Sequence, residues 1–204
     1  MSVYQPAGNY YDKYNTRNPI ARRLMDGFLV SFDGLVDGCG SLATSFEVGC
    51  GEAELSIRLA QRGIQSSGID IAPEAITEAR ERIAQAGVNV AVEVGSIYEL
   101  DASEPRADLV VCCEVLEHLD DTQAALDVLH GLTGRRLIVS VPREPIWRVL
   151  NMARGKYWAD GGNTPGHVQH WSTKKFVSML ESRFRVVQVR RPLPWTMALL
   201  EPKR

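Results

Sequence analysis

Four cysteines in 204 residues are too few for a disulfide framework, and none stands in a Cys-x-x-Cys pair. Cys112 and Cys113 are adjacent, which excludes a zinc knuckle. No apolar run approaches the roughly 18–20 residues that a membrane-spanning helix needs. The opening MSVYQPAGNYYDKYN lacks the basic-then-apolar order of a secretory leader. A net charge of −2 supplies no global positive field of the kind a nucleic-acid binder shows. Hydrophobic residues at 45% and charged residues at 24% argue against long disorder, collagen and coiled coil. The expectation is one cytoplasmic domain, with nucleic acid not expected as a partner.

The charge is unevenly spread. Residues 143–204 hold 12 Lys and Arg against 4 Asp and Glu, whereas the first 142 hold 11 against 21. Such polarity suggests two faces that meet different partners. Asn18-Pro19 reads as a helix start, Asn as cap and Pro at the first helical position. Ile20, Leu24, Phe28, Leu29 and Phe32 then recur at helical spacing until Gly38 and Gly40. Strands are expected near 44–48, 66–70, 90–94, 107–113 and 136–141, and helices near 52–62, 73–86, 121–131, 144–154 and 172–182. This alternation predicts an α/β fold: a Rossmann-like, mostly parallel sheet with helices on both faces. The stretch FRVVQVRRPLPWTMALLE reads as two further strands at an antiparallel edge. Residues 1–43 form an arm and helix, 44–141 a cofactor-binding core, and 142–204 a substrate-side lid, helix and terminal strands of the same domain.

The first strand runs into Phe46-Glu47-Val48-Gly49-Cys50-Gly51-Glu52-Ala53-Glu54. A Gly-x-Gly turn between a strand and a helix lets a ligand approach the backbone closely. The dinucleotide fingerprint wants a third small residue where this chain has Glu54, which counts against a dehydrogenase. Glu47, Glu52 and Glu54 would repel a pyrophosphate and suit a ligand with cationic groups. Asp70 ends the next strand, where an acidic residue accepts both hydroxyls of a ribose. A nucleoside without phosphates that carries a cationic amino-acid tail is S-adenosylmethionine.

Glu47-x-Gly49-x-Gly51, Asp70-Ile71, Gly95-Ser96-Ile97 and Cys113-Glu114-Val115-Leu116-Glu117-His118-Leu119 together resemble the successive motifs of class I S-adenosylmethionine-dependent methyltransferases. The likeness is firm over about residues 44–141. It implies a seven-stranded sheet whose last strand is antiparallel, and methyl transfer to an O, N or C nucleophile. By the same resemblance Gly49, Cys50 and Gly51 pack against the methionine part, and Asp70 holds the ribose. Ile71 flanks the adenine, Ser96 and Ile97 border its amino edge, and Cys113 offers its backbone to the ammonium. Many members have Asp where this chain has Ser96. Glu-Val-Leu-Glu-His is closest to the ubiquinone-type O-methyltransferases, in which an arginine near the N-terminal helix grips the methionine carboxylate. Arg17 is the counterpart here, with Tyr14 closing over the cofactor from the same arm.

Glu114, Glu117 and His118 also stand at i, i+3 and i+4, a spacing that on a helix places all three on one face. With His167 they resemble the magnesium site of small-RNA 2′-O-methyltransferases. Metal-dependent RNA ribose methylation is therefore the alternative reading. This chain lacks that family's Asp before the histidine and its Phe-Glu before tryptophan, and Mg²⁺ prefers oxygen ligands, so no metal is expected. The Gly- and aromatic-rich stretch 156–171 reads as a lid or substrate wall. His118, His167 and His170 are the candidate bases for a hydroxyl acceptor, and His130 is structural. Residues 144–154 mix Trp147 and aliphatics with Arg148 and Arg154, as in helices at a membrane interface. The expected acceptor is a small or lipid-linked molecule, anionic or greasy, with peripheral membrane contact.

Overall fold

The computed structural model describes residues 18–103, 106–155 and 157–204. Tyr14 and Arg17 lie outside the described residues. Helix α1 spans Pro19–Asp37, and the Asn18 side-chain oxygen accepts the Ile20 and Ala21 amides at 2.9 and 3.3 Å. That cap satisfies two of the donors orphaned at a helix start. The buried stripe of α1 is Met25, Phe28, Phe32, Leu35 and Val36. It lies further along the helix than the sequence suggests, because Ile20 sits in the first turn, 72% exposed.

Strands β1 (Thr44–Val48), β2 (Gln65–Asp70), β3 (Val90–Val94), β4 (Ala107–Cys113) and β5 (Thr133–Pro142) are parallel. Strands β6 (Phe184–Arg190) and β7 (Trp195–Pro202) complete one seven-stranded sheet in the order β3-β2-β1-β4-β5-β7-β6. Strand β7 runs antiparallel to both β5 and β6. Helices α2 (Glu54–Gln61), α3 (Pro73–Ala86), α4 (Thr122–Leu132), α5 (Ile146–Ala153) and α6 (Thr173–Leu180) connect the strands. Every expected strand and helix is present, four of them with the expected ends and the others with ends displaced by at most three residues.

Alternation along β4 divides the core. Val110 and Cys112 face α4 and α6, where Leu126, Leu129, Phe176 and Leu180 are buried with them. Leu109, Val111 and Cys113 face the other way, onto Phe28, Phe32 and Leu35 of α1 and Leu55 and Leu59 of α2. Because strand side chains alternate, one continuous apolar run serves two hydrophobic layers. Burying each such Leu or Phe contributes about 1.5–3 kcal/mol. The order reverses between β1 and β4, whose neighbours β2 and β5 run outward on opposite sides. That reversal opens a crevice at the carboxyl ends of the strands, where ligands bind in open α/β sheets.

Candidate functional site

The turn after β1 is held by left-handed backbone at Gly49 (φ +73°), Gly51 (φ +51°) and Ala53 (φ +63°), which delays the start of α2 to Glu54. The Gly49 and Cys50 amides both donate to the Ile69 carbonyl, at 2.8 and 2.9 Å, and so fasten the turn to β2. A β-carbon on Gly49 would overlap Cγ2 of Val115. Asp70 is oriented from both sides: one carboxylate oxygen accepts the Gly51 amide at 2.8 Å, the other the Ala72 amide at 2.9 Å.

These groups open onto a cavity of about 340 Å³. Glu47, Gly49, Cys50, Gly51, Asp70, Ile71, Ser96, Ile97 and Cys113 all line it. Ile71 stands half exposed at its edge. Ser96 instead uses its hydroxyl to cap the short turn Ile97–Glu99, accepting the Tyr98 amide at 3.3 Å. Six carboxylates border the cavity (Glu47, Glu52, Glu54, Asp70, Glu114 and Asp120), and no Lys or Arg does so among the described residues. Glu47 is 4% exposed, and its carboxyl accepts the Ser56 hydroxyl at 2.5 Å. Burial, with Asp70 and Glu54 nearby, pushes its pKa up to about 8.

Sequence reasoning missed part of the lining. Met25 and Phe28 of α1, Trp195 of β7, Tyr98 and Asp120 all reach the cavity. Trp195 meets Phe28 edge-on at a centroid distance of 5.1 Å and donates its indole N–H to Glu114 at 2.5 Å. Only the sheet order brings these distant residues together. Tyr98 follows directly on the Ser96-Ile97 pair and was the one within reach of motif reading.

Beyond β4 the expectation of a shared helical face is corrected. Glu114 takes a left-handed φ of +60°, and the 3₁₀ turn begins only at Leu116. Its carboxylate therefore turns to Ser140, at 3.0 Å, and to Trp195. Glu117, His118 and His167 do come together, with one ligand-type atom from each lying within 4.8 Å of the others. Glu114 is not in that group.

The three candidate histidines also separate. His118 lines the cavity, and its Nδ1 lies 2.9 Å from the Gly166 carbonyl. A nitrogen facing a carbonyl must donate, so the neutral ring carries its lone pair on Nε2. His167 is buried, edge-on to His118 at 4.8 Å and stacked on Trp147 at 5.8 Å. His170 does not line the cavity; its Nε2 is 2.6 Å from the Asn163 side-chain oxygen, and burial with Arg148 nearby lowers its pKa. His130 stands elsewhere, 2.8 Å from the Lys203 carbonyl. The segment carrying His167 and His170 is tied down, since the Val168 and Gln169 amides donate to the Glu117 carbonyl at 2.9 and 3.1 Å. Trp147 and Asn151 of α5 donate to Thr164 at 2.8 and 3.1 Å.

Residues 46–133 match the protein family described as a methyltransferase domain. That match runs from within β1 to the first residue of β5, the part of the sheet that carries the crevice. The chain is 34% identical over 121 residues to a ubiquinone biosynthesis O-methyltransferase of Xanthomonas euvesicatoria pv. vesicatoria (strain 85-10), covering 57% of the chain and 51% of the relative. It is 39% identical over 101 residues to the enzyme of the same name from Xylella fastidiosa (strain 9a5c), covering 48% and 41%. The chain thus spans about half the length of the curated relatives it matches. Its fold is shared by magnesium protoporphyrin IX methyltransferase from Synechocystis PCC 6803, solved with bound S-adenosylhomocysteine, at a TM-score of 0.70 and 21% identity over 95% of this chain and 91% of that one. An N-methyltransferase from Bradyrhizobium japonicum WM9, also solved with S-adenosylhomocysteine, gives a TM-score of 0.66 at 19% identity over 97% and 95%.

Proposed function

We propose that the chain is a class I methyltransferase that moves the methyl group of S-adenosylmethionine to a nucleophile of a small-molecule or lipid-linked acceptor. The observation that carries the reading is a cavity bordered by six acidic side chains, with Asp70 held in place by the Gly51 amide. That arrangement fits a cationic nucleoside and disfavours a phosphorylated one. Asp70 would accept the ribose hydroxyls, Ile71 and Tyr98 would flank the adenine, and Gly49, Cys50, Gly51 and Cys113 would border the amino-acid part. Tyr14 and Arg17 remain part of the proposal from the sequence. When bound, the cofactor supplies a methyl group already activated by its sulfonium.

The chain's own task is alignment and proton management. Reacting atoms must be held about 3–3.5 Å apart, which the walls formed by Met25, Phe28 and Trp195 would do for the acceptor. His118 is the base we favour over His167 and His170, because it alone of the three lines the cavity and its tautomer leaves Nε2 basic. An oxygen nucleophile is supported by the curated relatives' names. Those relatives disfavour the RNA alternative, as does the turning of Glu114 away from Glu117, His118 and His167. We read that cluster as the anchor of segment 162–171 rather than as a metal centre.

An anionic or lipophilic acceptor, and peripheral membrane contact, are supported by Val149 on α5 and Trp158 beyond it, 54% and 67% exposed beside an arginine-rich stretch. No helix among the described residues is long and apolar enough to cross a membrane. Cytoplasmic action is supported by four cysteines that are all free. The test is incubation of the protein with methyl-labelled S-adenosylmethionine and a bacterial extract that includes the lipid fraction. A labelled small molecule that disappears with Asp70→Ala supports the reading, and label in RNA alone contradicts it.

A further inference from the structure

The geometry points to Glu47 as a proton-linked counter-ion. Its carboxyl is neutral in the ligand-free chain and ionises as the cationic cofactor enters, so that binding releases a proton. This inference rests on the S-adenosylmethionine reading above and goes beyond it.

Glu47 sits near the end of β1, in the wall of the cavity and out of water. Its hydrogen-bonding support comes from Ser56, through the hydroxyl and the backbone amide. The groups that face it share its sign or are neutral. Glu54 approaches from α2, Asp70 from β2, Cys50 from the glycine turn, and Cys112 and Cys113 from β4. Each of those thiols is itself pushed up by burial, so none contributes charge at neutral pH. Among the described lining residues no Lys or Arg stands in the pocket to neutralise a Glu47 carboxylate. A carboxyl so placed keeps its proton until a cation arrives. Its pKa of about 8 is in keeping with that placement.

A ligand cation changes the balance. At an effective dielectric of about 20, a unit positive charge roughly 6 Å away lowers a carboxyl pKa by about 2 units. That shift carries Glu47 from mostly protonated to mostly ionised at neutral pH. Since only the ionised form favours the cation, cofactor affinity must rise with pH below the free-state value and level off above it.

Isothermal calorimetry of S-adenosylmethionine binding in phosphate and in Tris at pH 7 reads the proton directly, because the two buffers differ in protonation enthalpy. Close to one proton released per cofactor is expected for the native chain. Its dissociation constant should tighten by up to about tenfold between pH 6 and 7, flattening near pH 8. In Glu47→Gln the release and the pH slope should both fall to the small share of the cofactor's own amine, which titrates near about 8 and affects both proteins alike. Binding whose enthalpy is the same in both buffers overturns the inference, and so does equal release from Glu47→Gln. Should that variant not fold, the native buffer comparison decides alone. Absence of any binding heat or competition would instead defeat the cofactor reading itself, so the two failures are distinguishable.

Discussion

Replacing Gly49 with alanine places a methyl group against Cγ2 of Val115, far inside the 3.5–4.0 Å at which carbon atoms rest. The other Val115 carbons, Cβ and Cγ1, would stand at 3.5 and 3.6 Å, so the overlap involves one methyl that a turn about χ1 moves. Forcing Val115 off its rotamer costs about 0.5–1.5 kcal/mol. The backbone adds a second cost, since φ of +73° is left-handed and costs a non-glycine residue about 1–2 kcal/mol. The two together give a loss of roughly 1.5–3.5 kcal/mol. For a chain of this size each kcal/mol lowers Tm by about 2–4 °C, so the variant should melt roughly 3–14 °C below the native protein. Thermal unfolding followed by circular dichroism, without ligand, measures it. The double variant Gly49→Ala, Val115→Ala should recover the overlap share but not the backbone share, giving a favourable coupling of about 1 kcal/mol relative to the sum of the singles. A Gly49→Ala protein melting within 1 °C of native refutes the argument, and strict additivity refutes its steric half.

Glu47→Gln should stabilise the ligand-free chain more at pH 8 than at pH 5. The folded chain holds this proton up to about pH 8 while the unfolded chain loses it near 4.5, so native stability declines across that window, by about 3–5 kcal/mol if the whole shift is realised. Parallel melting curves for both proteins at both pH values contradict this. His118→Ala should reduce turnover of a hydroxyl acceptor by about 10²–10⁴-fold with cofactor affinity nearly unchanged. Equal loss of cofactor affinity would make His118 a binding residue instead. Activity should persist after EDTA treatment, and full recovery specific to added Mg²⁺ or Mn²⁺ would turn the Glu117, His118 and His167 group into a metal site.

The sheet was legible because its residues leave few alternatives. Leu109–Cys113 is apolar throughout, which suits a strand covered on both faces, and the Gly49-x-Gly51 turn followed by Asp70 marks where the crevice opens. Those signals are local, carried by residues within one strand and its following turn. What failed to show was set by long-range packing or by backbone conformation. Glu114 has the spacing of a helical face, yet one left-handed residue sends its carboxylate to Trp195, 81 residues further along. Met25, Phe28 and Trp195 enter the cavity because β7 inserts beside β5 and α1 packs across it, and no local pattern encodes that neighbourhood. His118 and His170 look equivalent as ionisable rings near the strand ends. Only the partners Gly166 and Asn163 show that one faces the cavity while the other is engaged outside its lining.

The central claim is that the acid-lined crevice binds S-adenosylmethionine through Asp70. Calorimetric titration of the native chain and of Asp70→Ala, each checked for fold by circular dichroism, tests it most directly. The account predicts micromolar binding by the native protein and at least a roughly tenfold loss in the variant, because one missing charge-assisted pair of hydrogen bonds is worth about 1.5–3 kcal/mol. No binding by the native chain at millimolar cofactor, or equal affinity in a folded Asp70→Ala, would contradict it.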